Sequence, residues 1–230
     1  MNTEAFLSLL QFSDGLFPAG AYAHSFGLEY CAQTGAVRDR NGVKSFIEAN
    51  LEGALGPTDA VAVLLARDVV QQRRDLAFIL TLDETLDAMK PIAELRNASR
   101  QMGRQTLRIA AHMVGHSLLD EFFRAVESVS TPGHHPVAFG AVGGLLGWTP
   151  EETARAFLYS SSAAMVGASL RLLPLGQLAG QRILWELQPL IGRLADQARN
   201  KSPEEMWSFA PGLEVAALRH ATLEARLFRS

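Results

Sequence analysis

Thr58-Asp59-Ala60-Val61-Ala62-Val63-Leu64-Leu65-Ala66 is the stretch that decides the fold. From Ala60 to Ala66 every side chain is apolar, so no face of a helix through it suits water. A helix apolar on all sides belongs in a core, and this one is expected to be the central helix of a bundle. Gly56-Pro57 just before it predicts the end of one helix, with Thr58 and Asp59 capping the next. Upstream, Asp39 or Asn41 can cap a helix in which Val43, Phe46, Ile47, Leu51 and Leu55 keep helical spacing. Downstream, a helix is expected over residues 75–89, with Leu76, Ile79, Leu80, Leu86 and Met89 facing inward. No segment alternates for long with period two, and no Asn-Gly or Asp-Gly pair joins two β-rich runs. The expectation is an all-α, single-domain helical bundle of roughly ten helices.

The same signals continue towards both ends. Residues 3–12 read as a short amphipathic helix with Phe6, Leu9 and Leu10 on one stripe. Pro91 suits the first turn of a long helix over residues 91–114, along which Ser99, Gly103 and Thr106 let another helix approach closely. Pro136 pre-sets the start of a further helix, in which Gly140, Gly143 and Gly144 allow tight contact until Gly147 ends it. Thr149-Pro150-Glu151-Glu152 is a capping box that opens a helix through Phe157, Leu158, Met165 and Leu172. Pro174 stops that helix, and Pro189 is expected to kink or divide the one over residues 178–199. Ser202-Pro203-Glu204-Glu205 repeats the capping device and predicts a short helix carrying Met206, Trp207 and Phe209.

Composition bounds the function. The 230 residues suffice for one large domain or two small ones. Hydrophobic residues at 48% and charged residues at 20% exclude a disordered chain. The single cysteine, Cys31, excludes a disulfide framework and fits a reducing cytosol. A net charge of −3 leaves no basic footprint, so nucleic acid is not an expected partner. No apolar run reaches the ~20 residues of a membrane span, and Met1-Asn2-Thr3-Glu4 lacks the basic segment of a signal peptide. A soluble cytoplasmic protein is expected.

One turn-rich stretch departs from ordinary loop composition. Ser13-Asp14-Gly15-Leu16-Phe17-Pro18-Ala19-Gly20-Ala21-Tyr22-Ala23-His24-Ser25-Phe26-Gly27-Leu28-Glu29 combines turn formers with Leu16, Phe17 and Tyr22. Such a loop is expected to be packed rather than solvated. Gly20 supplies an unusual φ, and helix is expected to resume with Tyr22, Phe26 and Tyr30 on one stripe. Ser13, Asp14, Pro18, Gly20, Tyr22, Ser25, Gly27, Leu28 and Glu29 together resemble the N-terminal signature of the UreF family of urease accessory proteins. Three more stretches resemble the family in the same order: Arg96, Ser99 and Gly103; then His135, Pro136, Val137, Phe139 and Gly140; then Arg171, Leu172, Pro174, Leu175, Gly176, Gln177, Gly180 and Gln181. The chain end resembles the family's at His220, Arg226, Leu227, Phe228 and Ser230. It departs from the pattern at Ala221, Ala225 and Glu214, which puts any contact needing a carboxylate at 221 in doubt.

The side chains alone give little support for an enzyme or a metal centre. His112 and His116 have the i, i+4 spacing that two ligating imidazoles can use, yet no third ligand or His-Glu-x₂-His pattern accompanies them. His134-His135 opens a helix, where a structural role is expected, with transient metal contact as the other reading. Asp14, His24, Ser25 and Glu29 share one stretch but lack a spacing specific to hydrolysis, and no Walker-type phosphate loop occurs. What the resemblance implies instead is a non-enzymatic accessory protein without cofactor or metal. It would work as a homodimer that bridges UreG, the GTPase bringing nickel, to UreD (UreH) on apo-urease. Tyr22 and Arg171 are the candidates for the GTPase-facing surface, since Tyr and Arg are common interface anchors. His220, Arg226, Leu227 and Phe228 are the candidate partner-binding residues of the chain end. The alternative is a regulator of UreG that supplies Arg171 to the GTPase. Residues 1–211 are expected to form the bundle, and 212–230 either an ordinary C-terminal helix on the bundle's own core or, as the resemblance favours, a tail that orders on UreD.

Overall fold

Ala60, Ala62, Val63 and Ala66 have no exposed surface, and the helix that carries them lies at the centre of the molecule. The computed structural model describes all 230 residues and contains helices and turns but no strand. Its α-helices are α1 (Thr3–Ser13), α2 (Leu28–Gln33), α3 (Arg40–Asn50), α4 (Val61–Gln72), α5 (Leu76–Ala88) and α6 (Ala93–Val114). They continue as α7 (Ser117–Glu127), α8 (His135–Leu146), α9 (Pro150–Leu172), α10 (Gln177–Gln197) and α11 (Pro211–His220). The all-α bundle read from the sequence is the fold of the chain.

Its centre depends on close backbone approach. α8 packs on α4 more extensively than any other pair of elements. A Cβ at Gly140 would overlap the Val63 carbonyl oxygen, and one at Gly144 would sit 2.5 Å from that of Arg67. Only hydrogen fits in both places, which is the tight contact expected of these glycines. The neighbouring helices α5, α6 and α9 then cover the pair, and α10 lies outside α9. Asp83 on α5 fixes where α8 begins. Its buried carboxylate accepts from the Thr131 hydroxyl (2.7 Å) and from the backbone N–H groups of Gly133 (2.6 Å) and His134 (2.7 Å).

Gly56-Pro57 does not end a helix. Residues Leu51–Ala60 form a π-helix that joins α3 to α4 with Pro57 inside it. Proline cannot donate to the carbonyl four residues earlier, and its ring crowds that carbonyl; a wider turn relieves both problems. That carbonyl, Gly53 O, accepts instead from Phe209 N–H at 2.8 Å. Trp207 N–H reaches Pro57 O at 3.4 Å, and the Thr58 hydroxyl donates to Trp207 O. Thr58 therefore braces the 206–210 segment rather than capping a helix.

Four further expectations change. Residues 203–205 form a single 3₁₀ turn with the capping box of Ser202 and Glu205, but 206–210 run extended along the π-helix instead of forming a helix. α10 passes through Pro189 undivided, with the ring on the exposed side. Tyr22, Phe26 and Tyr30 do not form one stripe, because a 3₁₀ turn at Ala21–Ala23 is separated from α2 by a left-handed bend. On α1 the buried residues are Ala5, Leu9 and Phe12, while Phe6 and Leu10 face solvent.

Candidate docking site at the chain end

The 13–29 turn is a built receptacle. Asp14 Oδ1 accepts from Leu16 N–H at 2.7 Å, and Gly20 follows at φ +93°. Phe26 (φ +55°) and Gly27 (φ +86°) are both left-handed, a conformation that bends the chain sharply enough to turn successive N–H groups onto one point. That point is the Ser230 carbonyl oxygen, which accepts from the N–H groups of Ser25 (2.5 Å) and Phe26 (3.1 Å) and from the Ser25 hydroxyl (2.8 Å). The Ser230 hydroxyl lies 2.8 Å from His24 Nδ1, and Arg229 N–H donates to Ala23 O at 2.8 Å. Burial, then the Arg229 charge, pushes the pKa of His24 down to about 4.

Glu29 organises the step before it. Its buried carboxylate accepts from the backbone N–H groups of Leu227 (2.6 Å) and Phe228 (3.0 Å), and His220 Nε2 lies 2.9 Å away. Burial alone would raise the Glu29 pKa, but the Leu227 N–H, the His220 ring and the Phe228 N–H outweigh it and hold the carboxyl below its ordinary range. The other nitrogen of His220 is 2.8 Å from Glu94 on α6, which also takes Arg226 at 3.2 Å. Across the turn, Arg171 at the end of α9 donates to Tyr22 O at 2.7 Å. Its guanidinium sits 3.9 Å from the centre of the Tyr22 ring and 4.2 Å from that of Phe228, a double cation–π contact.

All six residues singled out in the sequence therefore meet around one junction. They differ in what they offer. His220 and Phe228 are buried and hold the chain end in place. Tyr22 is 73% exposed, and Leu227 and Arg226 also face outward. Residues 212–230 pack on the chain's own body, with α11 against α2 and α6. This leaves Val215, Leu218 and Leu227 as exposed apolar side chains of the 212–230 segment. Glu94 carries no sequence signal of its organising role, and Glu29 shows none beyond its place in the motif, because its chain-end partners lie almost two hundred positions away. Ala221 is exposed at the end of α11 and takes no part in the junction.

His112 and His116 separate. Gly115 ends α6 in a left-handed conformation, so His116 leaves the helix of His112 and caps α7, its Nδ1 accepting from Leu118 N–H at 3.2 Å. Nowhere do three or more His, Cys, Asp or Glu side chains gather as a metal site would require. No helix is long and apolar enough to cross a membrane.

The sequence model of the UreF family matches residues 37–188. Curated relatives extend the likeness over both the 13–29 turn and the chain end. The urease accessory protein UreF of Bacillus sp. (strain TB-90) is 31% identical over 224 residues, covering 97% of this chain and 98% of its own. That of Geobacillus kaustophilus is 31% identical with complete coverage of both chains (100% each), and that of Trichodesmium erythraeum is 32% identical over 96% of this chain and 95% of its own.

Proposed function

This chain belongs to the UreF family of urease accessory proteins, and from that premise we propose that it bridges the GTPase UreG to UreD (UreH) on apo-urease, promoting nickel insertion. Nickel is cargo in this reading, and the chain contributes surfaces rather than catalytic groups. It acts in the cytoplasm as a homodimer. The observation that carries the proposal is the Tyr22–Arg171–Phe228 stack, which holds an exposed aromatic ring rigidly above an ordered chain end. A pre-ordered Tyr loses little side-chain freedom on binding, which is why Tyr and Arg dominate interface energies. The exposed side chains of Val215, Leu218 and Leu227 are the surface assigned to UreD, and Tyr22 with Arg171 that assigned to UreG. Arg171 is engaged by two rings and a carbonyl oxygen, which favours an anchoring role over a residue inserted into the GTPase site.

Pull-down of purified UreG and UreD tests the assignment. Tyr22→Ala is expected to weaken UreG capture by about 2 kcal/mol, the size of an interface hot spot, while melting stays within a few degrees. Truncation after Pro211 is expected to abolish UreD capture from a chain that remains helical. A truncated chain that still captures UreD, or a Tyr22→Ala chain that captures UreG as well as the parent does, overturns the corresponding half. The GTP hydrolysis rate of UreG with the parent and with Arg171→Ala distinguishes anchoring, which leaves the bound rate unchanged, from a supplied Arg.

A further inference from the structure

Where α9 passes the middle of the molecule its side chains become small: Ser160, Ser161, Ala163, Ala164, Gly167 and Ala168. Small residues on a helix usually admit a neighbour closely, as Gly140 and Gly144 do. Here they do not. A Cβ at Gly167 would meet nothing within 4 Å, so the small side chains leave space instead of closing on another helix. That space is a cavity of about 620 Å³ that opens to solvent and that all six residues line. Its volume falls in the roughly 300–1,000 Å³ range of small-molecule sites. The 13–22 turn, the π-helix, the first half of α6 and the start of α8 supply the other walls, which Phe12, Leu95, Met102 and Phe157 make largely apolar. Protein interiors otherwise hold few voids larger than a water molecule.

The few polar groups in these walls select the end group of a guest. Ser160 and Ser161 spend their hydroxyl hydrogens on Phe157 O, at 3.0 and 2.8 Å, so their oxygens can only accept. His135 lines the same cavity, its ring centre 5.5 Å from that of Phe157 and 5.9 Å from that of Phe139. Neither nitrogen of that ring has a hydrogen-bond partner in the protein, a cost that a guest can relieve. Burial, then the Lys90 charge, pushes the pKa of His135 down to about 4, so the ring is neutral. A carboxylate has no hydrogen to give the two serine oxygens. An ammonium would lose its hydration in a place where the Lys90 charge already acts. Lys90 itself is paired with Asp59 at 2.7 Å, both largely buried in the wall, and that pair leaves no net charge to offset a charged guest. A hydroxyl both donates and accepts, and therefore suits the serine oxygens and either tautomer of His135.

We propose that this cavity binds a neutral amphiphile, an apolar chain or ring system that ends in one hydroxyl held beside Phe157 by His135 and the serine oxygens. The apolar body lies against Phe12, Leu95 and Met102, and its burial supplies most of the affinity. The site does not depend on the partner surfaces, so its failure leaves the docking proposal standing, and the reverse holds.

The test uses the full chain and N-phenylnaphthylamine, a neutral probe whose fluorescence rises away from water. Decanol, decanoate and decylammonium share one apolar body and differ only in the end group, and each competes with the probe at neutral pH. Decanol is expected to displace it about tenfold more strongly than either ion, the worth of one hydrogen bond. Gly167→Leu fills part of the cavity and replaces a helical glycine by a better helix former. It is expected to keep the helical content and melting of the parent and to abolish probe binding. His135→Phe keeps a ring of similar size between Phe139 and Phe157, and is expected to weaken decanol about tenfold while the probe stays bound. No saturable probe binding, binding that survives Gly167→Leu, or equal or stronger displacement by either ion overturns the proposal. Decanol affinity unchanged in His135→Phe places the hydroxyl elsewhere and overturns it equally. The end-group comparison needs only the parent chain, and it decides the matter even where a variant fails to fold.

Discussion

Glu29 shows how much one side chain can organise. One carboxylate receives two consecutive backbone N–H groups and faces the His220 ring, and together these contacts fix where the last four residues lie. Replacing it by Gln keeps the shape but turns one acceptor oxygen into a donor that opposes an N–H or the ring. A buried donor left without a partner costs about 1–3 kcal/mol. Glu29→Gln is therefore expected to speed amide exchange at Leu227 and Phe228 by about tenfold to a hundredfold at constant pH, that energy expressed as local opening, while the core helices keep their protection. Unchanged exchange at these two amides would show that the stack of the Arg171 guanidinium on the Phe228 and Tyr22 rings holds the chain end by itself. The sequence displayed Glu29 inside a motif yet said nothing of its task. Spacing arguments report neighbours one or two turns away, and every partner of the Glu29 carboxylate except Gln33 is distant in the chain.

Elements were legible wherever their ends are local. Asp39 and Thr149 each accept from a backbone N–H three residues on, so the caps that the sequence suggested are the caps of α3 and α9, and Asp75, where a helix is expected to begin, caps α5 in the same way. The apolar stretch from Ala60 onward could be placed in the core for a similar reason, since its burial needs no knowledge of which helix covers it. The π-helix could not be read in this way. Its carbonyls are satisfied by a segment about 150 residues later, and without that segment a proline at 57 reads as a stop. Gly53 marks the contact: a Cβ there would come within 2.7 Å of the Phe209 carbonyl oxygen. Gly53→Ala is expected to push the 206–210 segment off the π-helix and to cost about 1–3 kcal/mol, as overpacking does. The measurements are the urea midpoint and the fluorescence of Trp207. A midpoint equal to that of the parent would mean that the segment moves aside freely and that the π-helix does not need it.

At the scale of the molecule three histidines whose pKa is lowered act together. His24 at the chain end, and His134 and His135 at the start of α8, are each pushed down to about 4, burial being the first cause in all three. Unfolding returns them to the ordinary histidine value near 6.5. Between those values the unfolded chain binds protons that the folded chain refuses, so stability is fully present above about pH 6.5 and is lost as pH falls towards 4. Each histidine contributes a slope approaching ~1.4 kcal/mol per pH unit, so three together approach ~4 kcal/mol per unit. The lowered Glu29 adds a loss of the same sign lower down, as pH falls below its unfolded value towards its folded one. Asp83 works the other way: burial raises its carboxyl, so the folded chain takes up its proton first and recovers a little stability in acid. A domain with ~5–15 kcal/mol of stability cannot withstand three such titrations for long. The expected result is a nearly flat urea midpoint from pH 8 to 7, then a steep fall, with unfolding within roughly two pH units below 6.5. His24→Asn, which removes the titration at the chain end, is expected to make the fall shallower by about one third, its share of the three slopes. A midpoint that stays level down to pH 4.5 would mean that these rings accept protons in the folded chain, and their burial would then cost the molecule nothing in acid.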